Sequence, residues 1–407
     1  MIERNSGFAN LAAGYLFPEV AKRRREYQAS HPEAKIISLG IGNTTEPLTP
    51  HISGAMASYA KALGTKEGYS GYGDEQGNSE LRKKIADVLY PGMVTQDEVF
   101  ISDGAKCDIA RIQTLFGRGT QIAVQDPAYP VYVDGSVIVG AAGKSGASGY
   151  EGVTYLPCTA ENGFFPDLSS IKKDSLIYFC SPNNPTGAAA TREELKKLVD
   201  FAIKNGCIII FDAAYFAFIR NSNLPRTIYE IEGARSCAIE INSFSKLAGF
   251  TGVRLGWSVV PSDLKFSDGS SVRADWNRVM TTLFNGAGNI AQAGGLAALD
   301  EEGVAETKAL VDYYLENAGI MQKTLTGDNF ASRGVKVYYT GDSPYLWVQF
   351  PGMKSWDIFD RILSECNVVT TPGSGFGPAG ESYLRFSAFG HREDVEEACR
   401  RLSKFVL

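Results

Sequence analysis

The sequence predicts an α/β protein, with a large domain built on a mostly parallel, helix-covered central sheet and a smaller α+β domain. Three observations carry this. First, the middle of the chain holds five short apolar runs: VFIS (99–102), QIAVQD (121–126), LIYFC (176–180), CIIIFD (207–212) and CAIEIN (237–242). None alternates polar with apolar residues, so each reads as a strand buried on both faces. Second, helical patterns separate the runs. In TREELKKLVDFAIKN (191–205), Leu195, Leu198, Val199 and Ala202 share one face, and Thr191 with Glu194 forms a capping-box pattern. Third, the pattern changes near residue 298. Helical stretches at 302–325 and 354–366 flank the strand-like runs YLWVQF (345–350) and YLRFS (383–387).

A length of 407 residues fits two or three domains. The boundaries read as 1–47, an N-terminal arm and strand that pack on the small domain; 48–297, the large domain; and 298–407, the small domain. The arm holds a basic helix, AKRRREYQ (21–28), and a strand, KIISLGIG (35–42). Its triple arginine reads as a solvated helix face.

Hydrophobic residues make up 44% and charged residues 21%, enough apolar material for a sizeable core and far from a disordered composition. The net charge of -6 lacks the basic surplus of a nucleic-acid module. Seven cysteines, at 107, 158, 180, 207, 237, 366 and 399, form no CxxC pair. They read as reduced core thiols, three of them within the apolar runs. His31, His51 and His391 lie too far apart in sequence to suggest a metal site, and none is expected. No apolar run approaches the roughly 20 residues that span a bilayer. The N-terminal residues lack a signal-peptide apolar core and the acid-free look of a transit peptide. The expected setting is a bacterial cytoplasm, or a plastid stroma with the transit peptide missing from this chain.

In sheets of this kind ligands bind at the strand ends, where loops gather. The unusual residues fall there. SFSKLAGFTGVRLGW (243–257) places Lys246 between the hydroxyls of Ser243 and Ser245, with Arg254 eight positions on. Hydroxyl donors and a planar fork are what a phosphate needs. A lysine beside such a cradle, buried enough to lose its proton, suits a Schiff base with an aldehyde cofactor. Asp212 ends CIIIFD, and a buried carboxylate is expensive unless it meets a cation. A protonated pyridine ring would supply one and would then act as an electron sink. Alternatively, Asp212 caps a helix. Tyr215 and Asn184, the latter in SPNNPTG (181–187), can both reach the ring's phenolate oxygen.

In order and spacing, Asn184, Asp212, Tyr215, Lys246 and Arg254 resemble the fold-type I pyridoxal-phosphate aminotransferases. That resemblance covers essentially the whole chain. It implies pyridoxal 5'-phosphate in Schiff-base linkage to Lys246, with Asp212 and Tyr215 as the further catalytic residues. It makes Arg385, in YLRFS, the fork for the substrate α-carboxylate, shared with Asn184. Ala105 and Lys106, in SDGAKCD (102–108), match the phosphate-binding helix N-terminus, and Tyr129 matches the aromatic that stacks on the ring. Ser243, Ser245 and Arg254 complete the implied cofactor set.

Finer stretches, among them SLGIGNTTEPL (38–48), GYSGYGDEQG (68–77), FNGAGNIAQAG (284–294) and TPGSGFGP (371–378), resemble the LL-diaminopimelate aminotransferase family. The implied reaction interconverts LL-2,6-diaminopimelate plus 2-oxoglutarate with tetrahydrodipicolinate plus glutamate, in lysine biosynthesis. Diaminopimelate keeps a zwitterionic head away from the reacting end, so its pocket needs a cation and an anion together. Lys106 and Glu75 are the residues expected to supply them. Tyr15, Gly42 and Asn285 match the family's other substrate contacts, and Tyr72 its cofactor-phosphate tyrosine from a partner subunit. The resemblance therefore implies a homodimer with shared active sites. Asn43 departs from it, standing where aspartate is expected. Three other readings remain open at this point: an aminotransferase for aspartate, alanine or aromatic substrates, a pyridoxal-phosphate carbon–sulfur β-lyase, and a non-catalytic regulator that keeps the fold and binds the cofactor.

Overall fold

The computed structural model describes residues 2–11, 16–146 and 149–406. A seven-stranded sheet runs, in spatial order, Val99–Ser102, Gly256–Val259, Ala238–Ser243, Ile208–Asp212, Leu176–Cys180, Ile122–Asp126 and Val153–Pro157. Its neighbours are parallel except around Gly256–Val259, which is antiparallel to both strands beside it. All five apolar runs are strands of this sheet. Alternate side chains enter different cores: Ile210, Ile239 and Ile241 join one apolar cluster, and Ile209, Phe211 and Ala238 the other. Both faces are dry, which removes the polar alternation an exposed sheet would show.

Two strands of this sheet escaped the sequence reading. Val153–Pro157 is an edge strand with a half-buried face, and Gly256–Val259 follows directly on the glycine-rich lysine segment. Arg192–Asn205 begins on the expected cap. The Thr191 hydroxyl accepts from the Glu194 amide at 3.2 Å, and the Glu194 carboxylate accepts from the Thr191 amide at 2.8 Å. Gly206, at φ 67°, ends the helix in the left-handed conformation that glycine adopts freely.

Toward the C-terminus, Lys336–Tyr338, Tyr345–Gln349, Tyr383–Ser387 and Thr371–Pro372 form an antiparallel sheet. The helices Glu301–Leu325, Ser355–Cys366 and Arg392–Leu402 accompany it. The N-terminal strand is shorter than expected: only Ile37–Ser38 pairs, parallel to Val368–Val369. Beyond it the backbone turns its carbonyls inward, where Gly40 accepts from Arg385 and Gly42 from Lys246. Leu39 still donates to the Val369 carbonyl, but its own carbonyl accepts from the Ser387 amide, and the ladder goes no further.

The arginine run is not wholly solvated either. Arg23 pairs with Asp360 at 2.5 Å and lies 4.2 Å over the Trp356 ring, fastening Leu16–Ser30 to Ser355–Cys366. Of the three cysteines expected within strands only Cys180 is inside one; Cys207 and Cys237 stand immediately before theirs. Among the described residues no helix is long and apolar enough to cross a membrane.

Candidate active site

The parallel strands Leu176–Cys180, Ile208–Asp212 and Ala238–Ser243 all end on one edge of the sheet, and a cavity of about 550 Å³ opens there. It receives Cys180, Asp212 and Ser243 from the strand ends and Arg385 from the second sheet.

Ser243 caps the one-turn helix Phe244–Leu247, its hydroxyl accepting from the Ser245 amide at 3.0 Å. That turn carries Lys246 into the cavity, where its amine donates to the Gly42 carbonyl. Phe389 lies beside it, with its ring centroid 5.2 Å from the amine. Burial, reinforced by the positive charges of Arg385 and Arg254, pulls the lysine down to about 7.

Arg254 adopts φ 67°, which folds its side chain back so that Nη1 meets the Ser245 hydroxyl at 3.4 Å and the Thr251 carbonyl at 3.2 Å. Its guanidinium lies against Gly104, where a Cβ would stand 2.3 Å from Nη2. Gly104, at φ 123°, is the N-cap of Ala105–Ile112. A helix N-terminus, two hydroxyls and a guanidinium thus converge, a set suited to a phosphate dianion.

Asp212 is 5% exposed, a position where ionisation is costly. Its Oδ2 accepts from the Tyr132 hydroxyl at 2.7 Å and its Oδ1 from the Ala214 amide at 3.0 Å. Burial pushes its pKa up, and these two donors oppose the rise. Two neutral donors leave a buried negative charge that a bound cation would answer. Tyr129, on the cavity wall, has Lys106 5.8 Å above its ring.

Arg385 is 1% exposed on Tyr383–Ser387. It donates through Nη1 to Asn184 Oδ1 at 2.6 Å and lies 4.3 Å over the Tyr345 ring. Because a guanidinium only donates, it must face the Asn184 oxygen. The amide nitrogen therefore faces Tyr215, 3.5 Å from its hydroxyl. Arg385 Nε is buried with no hydrogen-bond partner.

Of the expected residues, Lys246, Asp212, Tyr215, Asn184 and Arg385 line this one cavity, with Ser243, Ser245 and Arg254. Gly42, Ala105, Lys106 and Tyr129 line it too, and so does Asn43. Asp212, whose alternative was a helix cap, instead ends a strand and caps no helix of the regular elements. Tyr72, Glu75 and Asn285 do not line the cavity of this chain. They lie on an exposed ledge where Gly286 approaches Asp74 and Glu75, with Tyr72 90% exposed. Tyr15 lies outside the described residues.

Sequence reasoning missed Tyr132 and Tyr345. Tyr132 stands in the first turn of Val131–Ile138, and its ring meets that of Tyr129, which precedes the helix, at 5.9 Å; its nearness in sequence to Tyr129 could have flagged it. Tyr345 opens YLWVQF, where it reads as ordinary strand core.

The family model of aminotransferase class I and II matches residues 34–402. The chain belongs to this family. Its members use pyridoxal phosphate to move amino groups between small amino acids and keto acids. The LL-diaminopimelate aminotransferase of Protochlamydia amoebophila is 53% identical over 409 residues, covering 100% of this chain and 98% of that one. The chloroplastic enzyme of that name from Arabidopsis thaliana is 54% identical, covering 99% of this chain and 87% of the relative. Among solved structures, L,L-diaminopimelate aminotransferase from Chlamydomonas reinhardtii superposes with a TM-score of 0.93 at 58% identity, over 98% of each chain.

Proposed function

We propose that this aminotransferase interconverts LL-2,6-diaminopimelate plus 2-oxoglutarate with tetrahydrodipicolinate plus glutamate, in lysine biosynthesis. The observation that carries the chemistry is the Lys246 amine, brought to about 7 in one cavity with a phosphate-type cradle on one side and Arg385 on the other. Full-length identity to relatives of that name supports the substrate.

The residues present fit pyridoxal 5'-phosphate. Arg254, Ser243, Ser245 and the first amides of Ala105–Ile112 suit its phosphate, the uncompensated Asp212 charge its ring nitrogen, and the Tyr129 face its ring. When bound, the cofactor supplies an electrophilic carbon and a ring that accepts the electron pair left by a departing α-proton. Lys246 is the lysine that carries it. With its amine free in the cavity, Lys246 would take the substrate α-proton as a base and return a proton as an acid. A pKa near the working pH makes one group serve both roles, typically worth about 10²–10⁴-fold in rate. Arg385, with Asn184 beside it, would hold the substrate α-carboxylate, and Tyr215 and Asn184 would stand at the ring oxygen. Asp212 keeps negative charge beside the ring nitrogen.

Lys106 on the cavity wall supplies a cation for the distal carboxylate. Glu75, Tyr72 and Asn285 share one exposed ledge, and in a homodimer that ledge completes the site of the second copy, with Glu75 answering the distal ammonium. An aspartate-specific pocket would need only a second cation.

The test is an assay of purified protein with LL-diaminopimelate, meso-diaminopimelate, aspartate or alanine, each with 2-oxoglutarate. Glutamate formation fastest with the LL isomer supports the proposal. Preference for aspartate or alanine, or ammonia release without a keto acid, would overturn it.

A further inference from the structure

Tyr345 is absent from the roles above, yet it closes a ring of polar contacts with three residues that have them. Its hydroxyl stands 2.8 Å from that of Tyr215. Tyr215 meets the Asn184 amide, Asn184 meets Arg385, and the Arg385 guanidinium lies over the Tyr345 ring. Both tyrosines are buried, with ring centroids 5.1 Å apart at 68°. Room for the Tyr345 hydroxyl exists only because residue 42 is glycine: a Cβ there would stand 2.4 Å from that oxygen.

We infer that Tyr345 is a positioning residue whose hydroxyl, by donating to Tyr215, fixes the direction in which Tyr215 presents its own proton. The inference rests on the cofactor reading above. Two hydroxyls 2.8 Å apart share one proton, so one donates and the other accepts. Tyr215 also faces the Asn184 amide nitrogen, a second donor. With its lone pairs engaged by Tyr345 and Asn184, Tyr215 turns its own O–H toward the cavity. A hydroxyl that accepts while donating is the stronger donor, since chains of hydrogen bonds polarise one another. The other charged or titratable groups lining the cavity near the pair are Arg385, Lys246, Asp212 and Cys180, and a Tyr345→Phe change leaves all four in place.

The readout is the pH midpoint of the visible absorbance of the resting, cofactor-loaded protein. A donor to the ring oxygen stabilises the negative charge that grows there when the lysine-linked nitrogen loses its proton. Weakening that donor raises the midpoint. Tyr345→Phe is expected to raise it by about 0.5–1 unit, the scale of one neutral hydrogen bond. In Tyr215→Phe the relay has no end, so adding Tyr345→Phe to it should move the midpoint no further. An unshifted midpoint in the single Tyr345→Phe variant would overturn the inference, as would a shift that simply adds to that of Tyr215→Phe. Should Tyr345→Phe yield no folded protein, the same midpoint read with 3-fluorotyrosine at position 345, a stronger donor, should fall rather than rise; an unchanged midpoint would overturn the inference. A wild-type protein with no titrating visible band contradicts the cofactor reading itself and takes this inference with it.

Discussion

Arg385 and Asn184 are 201 residues apart in sequence and 2.6 Å apart in space. The contact joins the antiparallel sheet to the loop that follows Leu176–Cys180, and so ties the carboxylate fork of the proposed site to its amide. It also orients that amide toward Tyr215. Arg385→Lys keeps a positive charge but loses the planar fork. Steady-state kinetics should show kcat/KM falling by about 10–100-fold for every α-amino acid substrate, the scale of a charged hydrogen bond. An unchanged kcat/KM would remove Arg385 from substrate binding.

Asp212 is costly where it sits. Burial raises its pKa, so the cofactor-free protein gains nothing from its charge. Asp212→Asn keeps the shape and removes the charge. Thermal unfolding of the cofactor-free variant should match or exceed the parent, while kcat of the loaded enzyme falls by about 10²-fold or more, as for loss of a preorganised electrostatic group. Loss of stability with retained activity would contradict the role.

Lys246 is expected to titrate near 7 in the cofactor-free protein. Its folded-state pKa lies below the usual lysine value, so folding releases a proton in the window between about 7 and 10.5. The contribution of this group to stability therefore improves as pH rises through that window. Isotope-edited NMR of the selectively methylated amine checks the value; a midpoint above 10 would show that burial does not act on it.

Gly104 has two reasons to be glycine: φ 123°, and an Arg254 Nη2 that a Cβ would meet at 2.3 Å. Gly104→Ala should displace the guanidinium from the helix N-terminus. Its dissociation constant for the cofactor, read by fluorescence titration, should rise at least about tenfold, the loss of one charged hydrogen bond. Retained affinity would take the phosphate cradle away from this corner.

The sequence made the sheet legible where burial on both faces had erased polar alternation, as in CIIIFD, and it marked the Thr191 cap because the two side chains involved are only three residues apart. It hid Val153–Pro157, whose half-buried face gives a mixed pattern, and it overextended the strand at 35–42. There the apolar run continues, but the backbone carbonyls of Gly40 and Gly42 are engaged by cationic side chains from distant segments. The candidate site was legible in the residues that carry unusual chemistry at strand ends, Lys246 and Asp212 foremost. Tyr132 and Tyr345 were not, because a tyrosine in an apolar run looks like core until its hydroxyl partner, 80 or 130 residues away, is located.

The central claim is that the amine of Lys246 carries the cofactor. Borohydride reduction of the loaded protein, followed by peptide mass spectrometry, tests it most directly. The account predicts one pyridoxyl-phosphate adduct, on the peptide containing Lys246, and none in Lys246→Ala. An adduct on a different lysine, or no adduct in a protein that still transfers amino groups, would contradict it.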